Sequence, residues 1–334
     1  MSEKIILVLA SRDDVHADAV ISVLHEREQE VVRIDPTDYW LENSKFIWNI
    51  DSVRSQSVLN WNGKVINGDK VGAVFNRKFG FSKPEGNSEI ATLLKYAEAR
   101  AALFGFFRSL ENVYWMNPPW NDEMADNKPY QYACAINVGL RVPRTLVSND
   151  PKEFLKFYKA CNKEVIIKQL SEVCLIEEVE YPSKYSTDTE QTAYGFYTNK
   201  IDAGHLENID EIINSPCLFQ EHILKKGDVR VTVVEEDCFS TLIDSQSSDK
   251  SIVDFRLEPF LPLKNYTLPD DTKENLLCLL KKWGIKFAAC DFALTPSNEL
   301  VFLEVNVVGN WLWLEKGAYS AIGESIATAL SSAF

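Results

Sequence analysis

Histidine is scarce: His16, His25, His205 and His222 are the only ones in 334 residues. No persuasive Ser-His-Asp or Cys-His set can be assembled from so few, so a covalent enzyme intermediate is not where the sequence points. Paired cysteines are missing as well. The seven present (Cys134, Cys161, Cys174, Cys217, Cys238, Cys278, Cys290) are odd in number and never form a Cys-x-x-Cys pair. That pattern fits reduced, mostly buried thiols better than disulfides or zinc. Positive charge is short: 35 Lys+Arg against 49 Asp+Glu gives 35 − 49 = −14. General affinity for nucleic acid or an anionic membrane is therefore not expected, because both require basic surfaces. Long apolar runs are lacking too. Ile5–Leu9 is too short for the core of a signal peptide, and no run approaches a membrane span. The cytoplasm is the default expectation. What is present is ordinary globular composition, 46% hydrophobic, at a length sufficient for two or three domains with their own cores.

Along the chain, residues 4–10 read as a buried strand, followed by a helix through about Arg27 and a second strand at Val31–Asp35, a βαβ opening. Phe46–Ile50 and Val58–Trp61 are short strands, and Asn62-Gly63 before Lys64-Val65 is a type I′ hairpin signal. Val71–Phe75 is another strand and Asn87–Leu110 a long helix. This first domain ends near Asn121. Asp126-Asn127 cap a helix to about Val138, and Asp150-Pro151 open the next in the expected cap-then-proline order. Glu164–Gln169 and Leu218–Glu221 are strands around a polar region, Ser171–Asn208, which reads as a small β-layer with its own lid. Asp228–Glu236 and Cys238–Asp244 form an antiparallel hairpin, Thr272–Trp283 a helix, and Glu315–Leu330 a single closing amphipathic helix.

The stretch richest in chemistry is Cys290–Leu294, a turn at Thr295–Glu299, and Leu300–Asn306. As a hairpin it sets Asp291 beside Glu304, with Asn306 on the same strand face. Two carboxylates and an amide suit magnesium, although the same pattern describes a polar-faced edge hairpin. Upstream, Lys128 stands at a helix start, where phosphate oxygens are well received. Lys168 closes a strand. Gln220-Glu221-His222-Ile223 end another, where backbone groups could meet an adenine edge, and Asp228 and Arg230 follow. Singly, each is also an ordinary surface or element-end residue. Arg256 could hold an acceptor carboxylate or pair with Asp254 or Glu258, and Arg77 could contact substrate or pair with an acidic neighbour.

In this order the pieces resemble the ATP-grasp superfamily of carboxylate–nucleophile ligases. Within it the chain looks closest to the microviridin-type, or graspetide, peptide macrocyclases. Supporting residues are Asn76-Arg77-Lys78, Lys128 with Gly139–Thr145, Asp254-Phe255-Arg256, and Glu304-Val305-Asn306 with Gly309–Glu315; Asn310-Trp311-Leu312-Trp313 is the most specific. Val307 departs from a proline often found there. The resemblance implies an α/β ATP-grasp fold with a pre-ATP-grasp domain (1–121), a central domain with a lid region (122–215) and a C-terminal ATP-binding domain (216–334). It implies ATP and Mg2+ as cofactors, with Asp291, Glu304 and Asn306 on the metal. Lys128, Lys168, Gln220, Glu221, His222, Ile223 and Asp228 are then on the nucleotide, Arg230 and Arg256 catalytic, and Arg77 and Arg256 toward substrate. The partner is a precursor peptide with a leader and an acidic, hydroxyl-bearing core. Its Asp or Glu carboxylates are joined to Ser/Thr hydroxyls or a Lys amine through an acyl phosphate. The hairpin Asp228–Asp244, with Phe239 and Leu242, is the expected leader dock. Two copies could pair as a homodimer. Two alternatives stay open: an ATP-grasp ligase adding a free amino acid to a protein tail or small molecule, and a nucleotide-binding module without ligase activity.

Overall fold

In the computed structural model, the described residues are 4–35, 44–77, 90–170, 175–182, 187–194, 197–318 and 321–334. Lys78 and Cys174, which figured in the sequence reading, lie outside them. β1 (Ile5–Leu9) is buried at every position, as a strand covered on both faces must be. Asp14 then caps α1 (Val15–Glu26), its Oδ1 accepting from the Ala17 amide at 2.8 Å. β2 (Glu30–Ile34) follows. β3 (Lys45–Ile50), β4 (Ser55–Trp61) and β5 (Lys64–Asn67) form an antiparallel layer. Its β4–β5 turn uses Asn62 and Gly63 at φ 50° and 84°, the expected I′ geometry. β6 (Val71–Asn76), α2 (Ile90–Arg108) and β7 (Tyr114–Met116) complete a parallel sheet of order β2-β1-β6-β7. β7 is only three residues long, too short for its alternation to register in sequence.

α3 (Pro119–Ala125) and α4 (Lys128–Asn137) come next, α4 capped by Asn127, whose Oδ1 accepts from Tyr130 N at 3.0 Å. β8 (Thr145–Ser148), α5 (Pro151–Ala160) and β9 (Val165–Lys168) lead to β10 (Leu175–Pro182) and β11 (Thr187–Tyr194). The last two pair as a separate two-stranded sheet, the β-layer expected in that polar stretch. β12 (Asn199–Lys200), α6 (Ala203–Glu207) and β13 (Cys217–Glu221) follow, and the second sheet runs β12-β9-β13-β8. Because β13 lies between β8 and β9, a division at 215/216 would cut this sheet; it ends at Glu221.

The third sheet is β16-β15-β14-β17-β18: β14 (Gly227–Val234), β15 (Asp237–Ile243), β16 (Leu263–Asn265), then, after α7 (Asp270–Trp283), β17 (Phe287–Leu294) and β18 (Leu300–Asn306). Every residue of β14 and β17 is buried, yet period 2 still sorts them. Val229, Val231, Val233, Ala288, Cys290 and Phe292 join the core that α4 and α7 cover, while Asp228, Arg230 and Asp291 alternate with them.

Two expectations fail here. The hairpin β14–β15 offers no free edge: β16 pairs with Thr241–Ile243, and Tyr266 N donates to Ser240 O at 2.9 Å. Phe239 and Leu242 are partly buried against the hydrophobic cores rather than free on the surface. The closing helix is two, α8 (Leu312–Ala318) and α9 (Ile322–Ser331). Glu315 Oε1 accepts from Gly323 N at 2.8 Å, so a residue read as the start of one helix serves the next helix's orphan amides. Among the described residues, no helix is long and apolar enough to cross a membrane.

Candidate active site

The hairpin pairs Asp291 with Glu304 and Ala289 with Asn306. Between Asp291 and Phe292 the register shifts, so Leu303 is an extra residue on β18. The bulge keeps Phe302 on the core face while Leu303 and Glu304 both turn into a cleft. β18 is an edge strand, and its outward backbone is held by a side chain the sequence did not flag. Gln131 Nε2 donates to Val305 O at 2.8 Å and its Oε1 accepts from Val305 N at 2.9 Å. Gln131 lies one helical turn beyond Lys128 on α4, so the two act on neighbouring parts of β18.

Lys128, Lys168, Gln220, Glu221, His222, Ile223, Asp228, Arg256, Asp291 and Glu304 line one cleft. Arg230 reaches its floor by donating NH1 to Asp291 Oδ2 at 2.6 Å, an ion pair across adjacent β14 and β17 positions. Lys128 Nζ stands 3.9 Å from Glu304 Oε2. Burial pushes the Glu304 carboxyl up, but Lys168, Lys128, Arg256 and Arg230 outweigh it and hold the group below its usual range. Lys168 is depressed by burial and by repulsion from Lys128 and Arg256, against the pull of Glu304. Asp291 is raised to about 6, by burial first, with Arg230 opposing and Glu304 adding to the rise. Cations crowded in this way accept the negative charge of a polyphosphate at little further desolvation cost.

Asp291 Oδ1 is sealed from solvent without a hydrogen-bond partner among the described residues. A buried carboxylate oxygen left so, beside Glu304, fits a hard cation. Asn306 shares their face; its Oδ1 accepts from Val308 N at 3.0 Å, capping the turn that follows, and keeps a second lone pair.

The strand end Gln220–Ile223 is partly committed. Glu221 N donates to Arg144 O and His222 N to Glu164 O, both at 2.9 Å, and Gln220 Nε2 donates to Thr145 Oγ1 at 3.0 Å. For the Ile223 amide no hydrogen bond occurs among the described residues. Of the four, it is the amide left to meet a base edge.

Arg256 is half exposed and grips Asp254 with both arms of its fork, Nε to Oδ1 at 2.9 Å and NH2 to Oδ2 at 2.6 Å. Asp254 also accepts from Thr198 N at 3.1 Å, and Lys225 Nζ reaches Asp228 Oδ1 at 2.9 Å and Val253 O at 3.2 Å. Lys225 and Asp254 thus hold Arg256 at the cleft wall. From the sequence, Asp254 is one optional partner of Arg256, and Lys225 is not singled out. Arg77 is elsewhere: 2% exposed, its fork spent on Val308 O and on Asn310 Oδ1, with Asp14 Oδ2 3.5 Å from Nε. Of the two partners the sequence allows it, substrate or an acidic neighbour, the described residues supply the second, Asp14, together with the chain's own loop.

Comparison with known proteins follows the same lines. Residues 4–123 match the MvdD pre-ATP grasp domain. Macrocyclase MdnB from Microcystis aeruginosa MRC is 27% identical, with 98% of this chain and 99% of that one aligned at a TM-score of 0.78. Macrocyclase MdnC from the same source, bound with precursor peptide MdnA, is 25% identical over 98% and 99%, at a TM-score of 0.81. The chain has the ATP-grasp fold. Its fold is also that of a RiPP-associated ATP-grasp ligase of Chryseobacterium gregarium in complex with ADP and a leader and core peptide. That protein is 24% identical over 98% of this chain and 97% of its own, at a TM-score of 0.82. No curated protein matches the chain. In this fold the cleft lies between the second and third sheets, with residues of β9, β13, β17 and β18 facing one another across it.

Proposed function

We propose that this protein is an ADP-forming ligase that macrocyclises a ribosomally made precursor peptide, joining Asp or Glu side-chain carboxylates to Ser/Thr hydroxyls or a Lys amine. The observation that carries the reading is the convergence of Lys128, Lys168, Arg230 and Arg256 on Asp291 and Glu304 in one cleft. It is supported by full-length likeness to two macrocyclases, one of them bound with a precursor peptide.

A carboxylate is a poor electrophile at neutral pH. Transfer of the γ-phosphoryl of ATP to it creates an acyl phosphate, and attack by the peptide's hydroxyl or amine expels phosphate, so each ring costs one water. No enzyme nucleophile is needed, in keeping with the scarcity of histidine. Lys128 and Lys168 cancel phosphate charge, the Ile223 amide with Gln220, Glu221 and His222 frames the base, and Asp228 fixes Lys225. Arg230 orients Asp291, and Arg256, held by Asp254, faces the acceptor. Asp291, Glu304 and Asn306 would hold magnesium, which when bound neutralises phosphate oxygens. A leader remote from the core would raise the effective concentration of every acceptor in turn. We place the reaction in the cytoplasm, where the six described cysteines, all free thiols, would stay reduced.

Incubation with ATP, Mg2+ and the precursor encoded beside its gene should release ADP and phosphate and lower the peptide mass by one water per ring. AMP release, or an unchanged mass, would sink the reading.

A further inference from the structure

In the parallel sheet β2-β1-β6-β7 the chain leaves β1 in one direction and returns to β6 on the other side. Open α/β sheets receive ligands in the crevice beyond such a switch point. In this chain the loop after β18 lies there. Asn117, beyond β7, donates Nδ2 to Val307 O at 3.3 Å. Arg77, beyond β6, takes Val308 O and, at 2.6 Å, Asn310 Oδ1. Trp311 N donates to His16 Nδ1 at 3.4 Å, at the start of α1. His16 can accept because it is neutral, its pKa pushed down to about 4 by burial and by Arg77, with Asp14 opposing.

The other side of this loop belongs to the cleft. Asn310 O accepts from Arg230 NH2 at 3.4 Å. A methyl on Gly309 would stand 3.0 Å from that NH2 and 2.3 Å from Ala289 Cβ, so glycine permits the close approach. Arg230 NH1 then holds Asp291 Oδ2 at 2.6 Å, and Arg230 Nε has no partner among the described residues. The orientation of this guanidinium therefore depends on Asp291 and on the Asn310 carbonyl.

We infer that Arg77 is a positioning residue: through Asn310 it fixes Arg230, and so the free oxygen of Asp291, for the metal of the nucleotide site. The inference rests on the ATP-and-magnesium reading above. It makes the residues around the first sheet, remote from the nucleotide, determinants of metal affinity. If Arg77 lets go, the loop relaxes, Arg230 gains freedom to swing, and Asp291 no longer presents Oδ1 in one direction.

The test uses Mn2+ as a paramagnetic probe, titrated by EPR into the full-length protein with saturating ADP, so no peptide is required. Arg77→Lys keeps the charge but loses the fork. Asn310→Ala, at an exposed position, removes only the side-chain acceptor and guards against an Arg77 variant that does not fold. Each single variant should weaken Mn2+ binding about 3–10-fold, the loss of one ordinary hydrogen bond, while affinity for metal-free ADP stays within about twofold. The double variant should be no worse than the poorer single, because both break one contact. Asn310→Asp, which retains an acceptor oxygen, should recover most of the loss. Unchanged Mn2+ affinity in both single variants overturns the inference. So do additive losses that fall together with metal-free ADP affinity, since those mark a merely structural role. A wild-type protein that binds no Mn2+ with ADP present contradicts the nucleotide–metal reading instead.

Discussion

The cleft and the crevice contain the same kinds of residue in opposite situations. In the cleft, Lys128, Lys168 and half-exposed Arg256 face a space bounded by carboxylates, with an oxygen of Asp291 unpartnered. In the crevice, Arg77 is sealed and its donors are spent on the chain's own loop and on Asp14. A buried arginine whose fork is filled by backbone and carboxamide oxygens holds structure. Lys168, whose pKa is lowered first by burial and further by Lys128 and Arg256 against the pull of Glu304, is ready for an anion that the protein does not itself supply. The difference lies in what opposes the charge, not in which residues carry it.

Substitutions should separate the two regions. In the cleft, Asp291→Ala and Glu304→Ala should each lower turnover by about 10²–10³ while leaving the fold intact, since each removes an oxygen facing the metal. Asn306→Ala should also lower turnover, with an added stability loss of about 1 kcal/mol from the turn it caps. Wild-type rates at limiting Mg2+ in the Glu304 variant would show that the metal is elsewhere. Arg77→Ala should act the other way round, costing about 3–5 kcal/mol of stability by leaving Asp14 and the loop oxygens unpaired in a buried place. A thermal midpoint unchanged from wild type would break the distinction.

Within the cleft, Lys168→Ala should weaken ATP binding, whereas Arg256→Ala should leave nucleotide affinity nearly unchanged and suppress cyclisation. Calorimetry showing equal damage would move Arg256 into the nucleotide set. The smallest effect is expected near the crevice rim. Asp122 accepts from Asn76 Nδ2 at 2.6 Å, and its pKa is raised to about 8, by burial first. An acid raised in the folded state holds a proton that the unfolded chain has released. Its stabilising contribution is full below about pH 4 and is lost as pH rises toward 8. Asp122→Asn should flatten the stability profile across that window, as read by chemical denaturation. Parallel profiles for variant and wild type would argue against it.

Much of the cleft was legible because its residues are tied to strand periodicity and to helix starts. Asp291 opposite Glu304 follows from the turn at Thr295–Glu299 and period 2, and Lys128 from the Asn127 cap. The bulge at Leu303 was not legible, since Leu303 simply extends the apolar run Leu300–Phe302. Gln131 gave no signal, because its partner is the backbone of a strand 174 residues away. The sequence leaves Arg77 open to substrate or an acidic neighbour and marks Asn310–Trp311 only as a family motif. Arg77 pairs with Asn310 at a separation of 233 residues and Trp311 with His16 at 295, and long-range pairing of this kind leaves no local trace. The division of the closing helix is hidden for a different reason. Glu315 looks like an ordinary helical glutamate until it is seen capping α9.

The most direct test of the central claim follows oxygen. A precursor peptide whose Asp and Glu side-chain carboxylates carry 18O is incubated with the protein, ATP and Mg2+, and the released phosphate is analysed by mass spectrometry. The account predicts one labelled oxygen in phosphate for each ring closed, because the carboxylate oxygen that bonds to phosphorus leaves with it. Unlabelled phosphate accompanying ring closure would contradict acyl-phosphate ligation.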